Sequence, residues 1–197
     1  GEILSETNHE NQEEIDTILE QTEKLDFLIQ SLVKLSRMES GIIAVHSEDT
    51  TIKQMLESIQ QQFNVKVREK NITLSLCDTD LHVRCDSKWT VEALGNIVDN
   101  AIKYTACGGN VQIKVEQYSF FVKIDIIDDG IGIEKEEIPK IFGRFYRSLS
   151  VADQPGVGIG LFLAREIIQA QKGYIKVTSK RGKGSTFSVF LPIAKKE

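Results

Sequence analysis

The stretch Lys88 to Thr105 constrains this chain more than any other. Plotted at roughly 100° per residue, it is a helix with two faces. Val91, Leu94, Ile97, Val98, Ala101 and Ile102 share one arc and read as core-facing. Glu92, Asn96, Asn100 and Lys103 share the opposite arc. Two asparagines one turn apart are costly in a helix, because the Asn side chain competes with the backbone for hydrogen bonds. A merely solvated face is built more cheaply from Glu, Lys or Gln. One reading is an amphipathic surface helix with two incidental asparagines. The other is a rigid rack of amide oxygens, hard neutral ligands suited to a Mg²⁺ ion that shares its coordination with phosphates. Lys103 then meets those phosphates as a point charge. The choice depends on what the rest of the chain supplies.

Three later stretches bear on it. Val111, Ile113 and Val115 alternate, as do Val122, Ile124 and Ile126, which predicts two paired strands joined near Tyr118-Ser119. Carrying the period of two onward places Asp128 on the apolar face of its strand. A carboxylate buried there needs a donor. The exocyclic amine of a purine is such a donor, and Gly130 and Gly132 let the backbone approach a flat ring. The plainer alternative is a turn, since Asp128-Asp129-Gly130 is good turn chemistry. Glu134 to Pro155 interleaves Phe142, Phe145 and Tyr146 with Arg144 and Arg147, and reads as a cover with a short helical piece around Glu136 to Ile141 or as a long surface loop. Gly156-Val157-Gly158-Ile159-Gly160-Leu161 then precedes a helix over Phe162 to Ile168, where freed backbone amides and the helix dipole suit phosphate. The spacing fits neither the dinucleotide fingerprint nor a Walker A loop, and a hinge satisfies it equally.

Composition narrows the class. The chain has 197 residues, 41% hydrophobic and 27% charged, enough for one good core plus an accessory element. A net charge of −5 argues against nucleic-acid binding. No apolar run approaches the roughly 20 residues of a membrane span. Cys77, Cys85 and Cys107 lack metal-like spacing and read as reduced thiols. Ile15, Ile18, Thr22, Leu25, Ile29, Leu32 and Ser36 form a 3.5-residue seam, broadened by Leu19, Leu28 and Leu35, which predicts a long bundle-forming helix ending near Gly41. Asn8 to Gln12 reads as a polar loop, with His9 as a solvated histidine. The expected scaffold then follows. It has a strand at Ile42 to His46, a helix capped by Asp49 or Thr50 and running to about Lys70, strands at Ile72 to Leu76 and Leu81 to Cys85, and a cap at Asp86 or Ser87. A hairpin through Lys180 to Gly184 closes the sheet.

Taken together, these motifs resemble the catalytic ATP-binding domain of sensor histidine kinases, in the GHKL ATPase superfamily. Asn96, Asn100, Lys103 and Tyr104 resemble the N box, and Asp128 to Gly132 the first glycine box. Phe142, Phe145, Tyr146 and Arg147 resemble the F box, and Gly156 to Leu161 the second glycine box. The resemblance covers residues 42–197, while residues 1–41 look like the end of a dimerisation and phosphotransfer hairpin. It implies an α+β fold, a two-layer α/β sandwich of the Bergerat type with helices over a mixed sheet, preceded by the long helix. It also implies ATP and Mg²⁺. Asp128 would bind the adenine amine, Asn100 would hold Mg²⁺, and Asn96 would assist. Lys103, Tyr104 and Arg147 would contact phosphates. Gly130, Gly132, Ile133, Gly156, Gly158, Gly160, Leu161 and Thr186 would line the nucleotide, with Gly184 and Ser185 near it. The γ-phosphoryl would go to a histidine and then to a response-regulator aspartate. One departure matters: the family's Ser-His-Glu/Asp-Leu-Arg/Lys-Thr-Pro-like acceptor box is absent, so the chain reads as a cytoplasmic fragment beginning after it. The full protein would be a homodimer anchored in the bacterial cytoplasmic membrane through upstream segments. The alternatives are another GHKL ATPase, of gyrase-like, chaperone-like or mismatch-repair type, and a non-catalytic nucleotide-binding module.

Overall fold

A computed structural model describes residues 45–148 and 156–193 without a break, together with Val151, Gln154 and, nearer the N-terminus, residues 14–15, 17–19, 21–22, 25–26, 28–30, 32–33 and 36. By contact the chain divides into two compact units, Gly1–Ile43 with Asp153–Val157, and Ala44–Ala152 with Gly158–Glu197. In the first unit the described residues from 14 to 36 are helical, and Ile15, Ile18, Leu25, Ile29 and Leu32 of the seam are exposed. The expected loop at Asn8 to Gln12, the stop at Gly41 and the start of the strand at Ile42 lie outside the described residues.

The second unit is a mixed α+β sandwich. Its five-stranded sheet is built from β2 (Thr73–Leu76), β4 (Asn110–Gln117), β5 (Phe121–Asp128), β6 (Tyr174–Ser179) and β7 (Ser185–Pro192), in the order β2-β4-β5-β7-β6. Only β2 and β4 run parallel; the other neighbours are antiparallel. Alternation puts Val111, Ile113, Val122, Ile124, Ile126, Phe187, Val189 and Leu191 on the buried face. Over that face lie α1 (Ile52–Glu69), α2 (Ser87–Tyr104) and α3 (Gly160–Ala170), with α2 packed against both of the others. Their buried stripes are Ile52, Met55, Leu56, Ile59 and Phe63 in α1, and Phe162, Leu163, Ala164, Ile167 and Ile168 in α3.

The amide-bearing helix buries a face slightly rotated from the expected one. Thr90, Ala93 and Gly95 are buried beside Leu94, Ile97, Val98, Ala101 and Ile102, while Val91 is half-buried. Thr90 is tolerated in the core because its hydroxyl donates to Gln171 Oε1 at 3.2 Å. Asp86 caps the helix, accepting from Trp89 N–H at 3.2 Å through Oδ1 and from His46 N–H at 3.1 Å through Oδ2. Asp86→Ala is therefore expected to lower unfolding free energy by about 1–2 kcal/mol, the ordinary range for a lost N-cap, measurable by urea denaturation.

Two expectations of local structure are corrected. Val45 and His46 are not in a strand; β1 is Glu48–Thr51, which pairs antiparallel with β3 (His82–Cys85). Pairing outweighed the apolar run, and α1 then starts after Thr51 with no side-chain cap rather than at Asp49 or Thr50. Around Glu136 to Ile141 there is no regular helix. Glu134 O accepts from Glu137 and Ile138 N–H, and Glu137 O from Lys140 and Ile141 N–H, so three- and four-residue bonds mix in separate turns that do not join into one helix. Pro139 has no N–H with which to continue a helical ladder.

Candidate functional site

Three clusters on the second unit gather most of the singled-out residues, and the end of α2 joins two of them. The first is built on Asp128, the last residue of β5. Its strand position turns the side chain into the buried layer, where the residue is 7% exposed. Oδ1 accepts from Gly130 N–H at 2.9 Å and from Ser185 N–H at 3.2 Å. Among the described residues nothing donates to Oδ2. Burial pushes the Asp128 carboxyl above the ordinary carboxylate range, opposed by those two backbone donors and reinforced by the charge of Asp129. Asp129 points the other way, accepting from Asn110 N–H at 2.9 Å and Asn110 Nδ2 at 2.8 Å, and so serves the turn.

The loop after Asp128 is fastened on both sides. Ile131 N–H donates to the Tyr104 carbonyl at 3.2 Å, and Ile133 N–H donates to Ser179 Oγ at 2.8 Å. A Cβ on Gly130 would meet the Tyr104 carbonyl at 2.5 Å, so only glycine lets this loop lie against the end of α2. Gly132 sits where a Cβ would strike the Lys180 carbonyl, which ties the loop to the β6–β7 turn.

The second cluster is cationic. Lys103 and Tyr104 form the last turn of α2, with the Lys103 ammonium 4.9 Å from the Tyr104 ring centroid. Arg147 lies close enough to act on both. Burial, and then the Arg147 charge, hold the Lys103 ammonium below the ordinary lysine range, while Asp99 pulls it upward. Burial raises the Tyr104 phenol, and Arg147 lowers it. Arg147 Nη2 also donates to the Val151 carbonyl at 2.9 Å. Lys103 and Arg147 are two half-buried cations held near one another, with the Asp99 carboxylate acting on Lys103, a concentration of positive charge that suits an anionic group.

Asn96 and the start of α3 form the third cluster. Asn96 Nδ2 donates back to the Glu92 carbonyl at 3.0 Å, and a Cβ on Gly160 would meet Asn96 Oδ1 at 2.9 Å. Ile159 offers no side-chain cap, so the first amides of α3, including that of Leu161, have no capping partner from its side chain. Gly158 (φ 77) lies where a Cβ would meet the Tyr146 carbonyl at 2.6 Å, which locks the F-box-like segment to the glycine run. Phe142 packs under the Arg165 guanidinium at 5.6 Å, and Phe162 lies between Arg144 at 4.7 Å and Arg165 at 5.6 Å. Phe145, by contrast, is 55% exposed with φ 59.

Asn100 lies one turn from Asn96 and nearly one turn from Lys103, and makes no side-chain hydrogen bond with a described residue. An amide oxygen with no partner among the described residues, nearly one turn from Lys103, is a hard neutral ligand of the kind that suits a Mg²⁺ ion sharing its coordination with phosphates. No group of three His, Cys, Asp or Glu suited to a resident metal occurs among the described residues. Two residues sit apart from these clusters. Gly156 belongs to the first unit. Thr186 pairs with Ile127 and Thr178, on the sheet face opposite Asp128; the residue directly across from Asp128 is Ser185, which is buried. Ser185 Oγ in turn lies 3.0 Å from Ser179 Oγ. The signal for Ser185 is its period of two with Phe187 and Val189, all three on the buried face.

No helix among the described residues is long and apolar enough to cross a membrane. Residues 85–195 match the family model described as histidine kinase-, DNA gyrase B-, and HSP90-like ATPase. Over 177 residues the chain is 34% identical to sensor histidine kinase WalK of Bacillus subtilis (strain 168), an alignment covering 87% of this chain and 29% of WalK. The chain spans between 21% and 36% of the length of the curated relatives it matches. Among solved structures, Acinetobacter baumannii histidine kinase AdeS is 25% identical, covers 92% of this chain and 84% of its own, and superposes with a TM-score of 0.71. Histidine kinase ThkA in complex with response regulator protein TrrA shares the fold at 23% identity, covering 86% of this chain and 50% of that one, with a TM-score of 0.65. The buried carboxylate, the amide helix and the glycine run therefore stand in a chain that belongs to the histidine kinase-, DNA gyrase B- and HSP90-like ATPase family.

Proposed function

We propose that this chain is the ATP-binding kinase domain of a two-component sensor histidine kinase. The observation that carries this reading is a site with two chemically opposite ends. At one end is a buried carboxylate with an oxygen left for a donor; at the other, the half-buried cations Lys103 and Arg147 are held close together. The Tyr104 backbone joins them. A purine nucleotide has its donor amine and its polyphosphate at opposite ends and fits both. Asp128 accepts the adenine amine, with Ser185 beside it and Gly130, Gly132 and Ile133 shaping the loop. Lys103, Tyr104 and Arg147 hold the phosphates, while Gly158, Gly160 and Leu161 face them with the start of α3. Asn100 holds Mg²⁺ and Asn96 steadies that site; the ion, when bound, neutralises phosphate charge. Thr186, on the opposite face of the sheet, is the weaker member of the set.

In the reaction, the bond between the γ-phosphorus and the ADP oxygen breaks, a phosphorus–nitrogen bond to a histidine forms, and ADP leaves. The phosphoryl then passes to an aspartate on a response-regulator receiver domain, a partner of the kind ThkA is solved with. The chain's own part is positioning and charge neutralisation. Residues 1–41 supply the end of a dimerisation hairpin, a reading supported by the exposed Ile15, Ile18, Leu25, Ile29 and Leu32. The whole protein is a homodimer held at the cytoplasmic membrane, with this domain on the ATP-containing side.

Calorimetric titration with ATP, with and without Mg²⁺, tests the reading. The expected result is saturable binding that Mg²⁺ tightens; absence of ATP binding would overturn it. Incubated with γ-labelled ATP, this chain alone is expected to form no phosphohistidine, His9 included, whereas a phosphotransfer hairpin carrying the acceptor box becomes labelled when added. Labelling of this chain alone contradicts the assignment of the acceptor elsewhere.

A further inference from the structure

The last turn of α2 carries Lys103 and Tyr104, and it ends in carbonyls with no partner inside the helix. The structure shows where they go. Ala101 O accepts from Thr105 N–H at 3.1 Å, and Tyr104 O accepts from Ile131 N–H at 3.2 Å. The two between them are both taken by one side chain. Lys70 Nζ donates to Ile102 O at 2.8 Å and to Lys103 O at 2.6 Å. Lys70 is itself fixed. It is the C-cap of α1, its N–H donates to Lys66 O at 3.1 Å, and its carbonyl accepts from Gly108 N–H at 3.3 Å on the way into β4. A cation at a helix C-terminus also offsets the negative end of the helix dipole.

We infer that Lys70 is a positioning residue for the nucleotide site. It fixes the backbone of Lys103 relative to the Tyr104 carbonyl, and hence the spacing between the phosphate-binding side chains and the loop that follows Asp128. The inference rests on the nucleotide reading above. Lys70 acts through Lys103, and its effect is confined to the phosphate end. Without Lys70, Ile102 O and Lys103 O are left to water and the last turn loosens. The Asp128 end keeps its own bonds to Gly130 and Ser185.

The test is titration of the 197-residue chain with Mg²⁺-ATP and with adenosine, in wild type, Lys70→Met, Lys70→Arg, Lys103→Met and the Lys70→Met/Lys103→Met double variant, with circular dichroism confirming folding. Lys70→Met is expected to weaken ATP about tenfold, the scale of charge-assisted bonds at a helix end, and adenosine by no more than about twofold. Lys70→Arg restores ATP affinity to within about threefold, since a guanidinium can reach the same carbonyls. In the Lys103→Met background, the Lys70→Met effect on ATP shrinks to about twofold or less, because the side chain being positioned is gone. Three results overturn the inference: unchanged ATP binding in Lys70→Met, equal losses for ATP and adenosine, or an undiminished loss in the Lys103→Met background. Should Lys70→Met not fold, Lys70→Gln and Lys70→Arg carry the same comparison. Failure of the wild type to bind ATP overturns the nucleotide reading and this inference with it, whereas wild-type binding with any of those three results overturns the inference alone.

Discussion

Asp128→Asn is expected to weaken ATP binding by about a hundredfold, the upper range for a lost buried charge-assisted bond, while leaving the fold as stable as wild type or more so. The two effects share one cause. Asp128 is 7% exposed, and its Oδ1 is occupied by two backbone donors. An asparagine keeps an oxygen for those donors but places its NH₂ where the second carboxylate oxygen was. That NH₂ then faces the adenine amine, donor against donor. Without ligand, however, the carboxylate is a burden, because burial raises its pKa above the ordinary 3.8. The sign follows: between 3.8 and the raised folded value the native state binds more protons than the unfolded state, so stability falls as pH rises through that window and stays lowered above it. Asp128→Asn removes this decline. ATP affinity of the wild type runs the opposite way, falling as pH drops through the raised pKa and the accepting oxygen becomes protonated. Calorimetry for affinity and thermal denaturation across pH check both halves. A variant that loses ATP binding together with several degrees of melting temperature would make Asp128 a structural residue instead.

That carboxylate was legible in the sequence because its placement needs only the local period of β5, carried two residues past Ile126. The cap at Asp86, the alternating strands and the helices α1 and α3 were legible for the same reason, and together they define the α+β sandwich. What resisted reading depends on partners distant in the chain. Ser185 rather than Thr186 lies across from Asp128 because of the β5–β7 register, set by residues 57 positions apart. Lys70 caps carbonyls 32 and 33 residues away, which no local pattern reveals. Thr90 replaces Val91 in the core because Gln171, far along the chain, supplies its acceptor. β1 forms on the polar run Glu48–Thr51 because β3 is there to pair with it, a context that β-propensity does not contain. The amide arc sits between these cases. Its spacing is visible in sequence, but the difference between Asn96, bonded back to Glu92 and packed on Gly160, and Asn100, whose side chain has no partner among the described residues, appears only in the folded chain.

Arg147→Met is expected to weaken ATP by about thirtyfold and adenosine by about twofold or less, on the scale of one charge-assisted phosphate contact. Arg147 earns this role from its position rather than from its type. After burial, its charge is the largest that depresses Lys103, with Lys66 adding a smaller effect, and it also acts on Tyr104. In the free protein that proximity is unfavourable. A lysine whose folded pKa lies below 10.5 disfavours its charged form in the native state, so stability rises with pH between the depressed value and 10.5. Removing Arg147 flattens that rise and lets the Lys103 pKa climb. It also removes the bond to the Val151 carbonyl, worth about 0.5–1.5 kcal/mol. The two changes oppose one another at a site open to solvent screening, so the melting temperature at neutral pH moves little. Binding behaves differently. A triphosphate favours the charged form of both side chains, so wild-type ATP affinity falls as pH rises through the depressed Lys103 pKa, and in Arg147→Met that fall shifts to higher pH. Titrations with ATP and adenosine across this range separate the possibilities. A pH profile displaced upward, with ATP weakened and adenosine nearly untouched, places the phosphates between these two cations. Equal losses for both ligands would instead place Arg147 in the packing of the segment from Phe142 to Ser148, where its partners are the Val151 carbonyl and the glycine run that holds Tyr146.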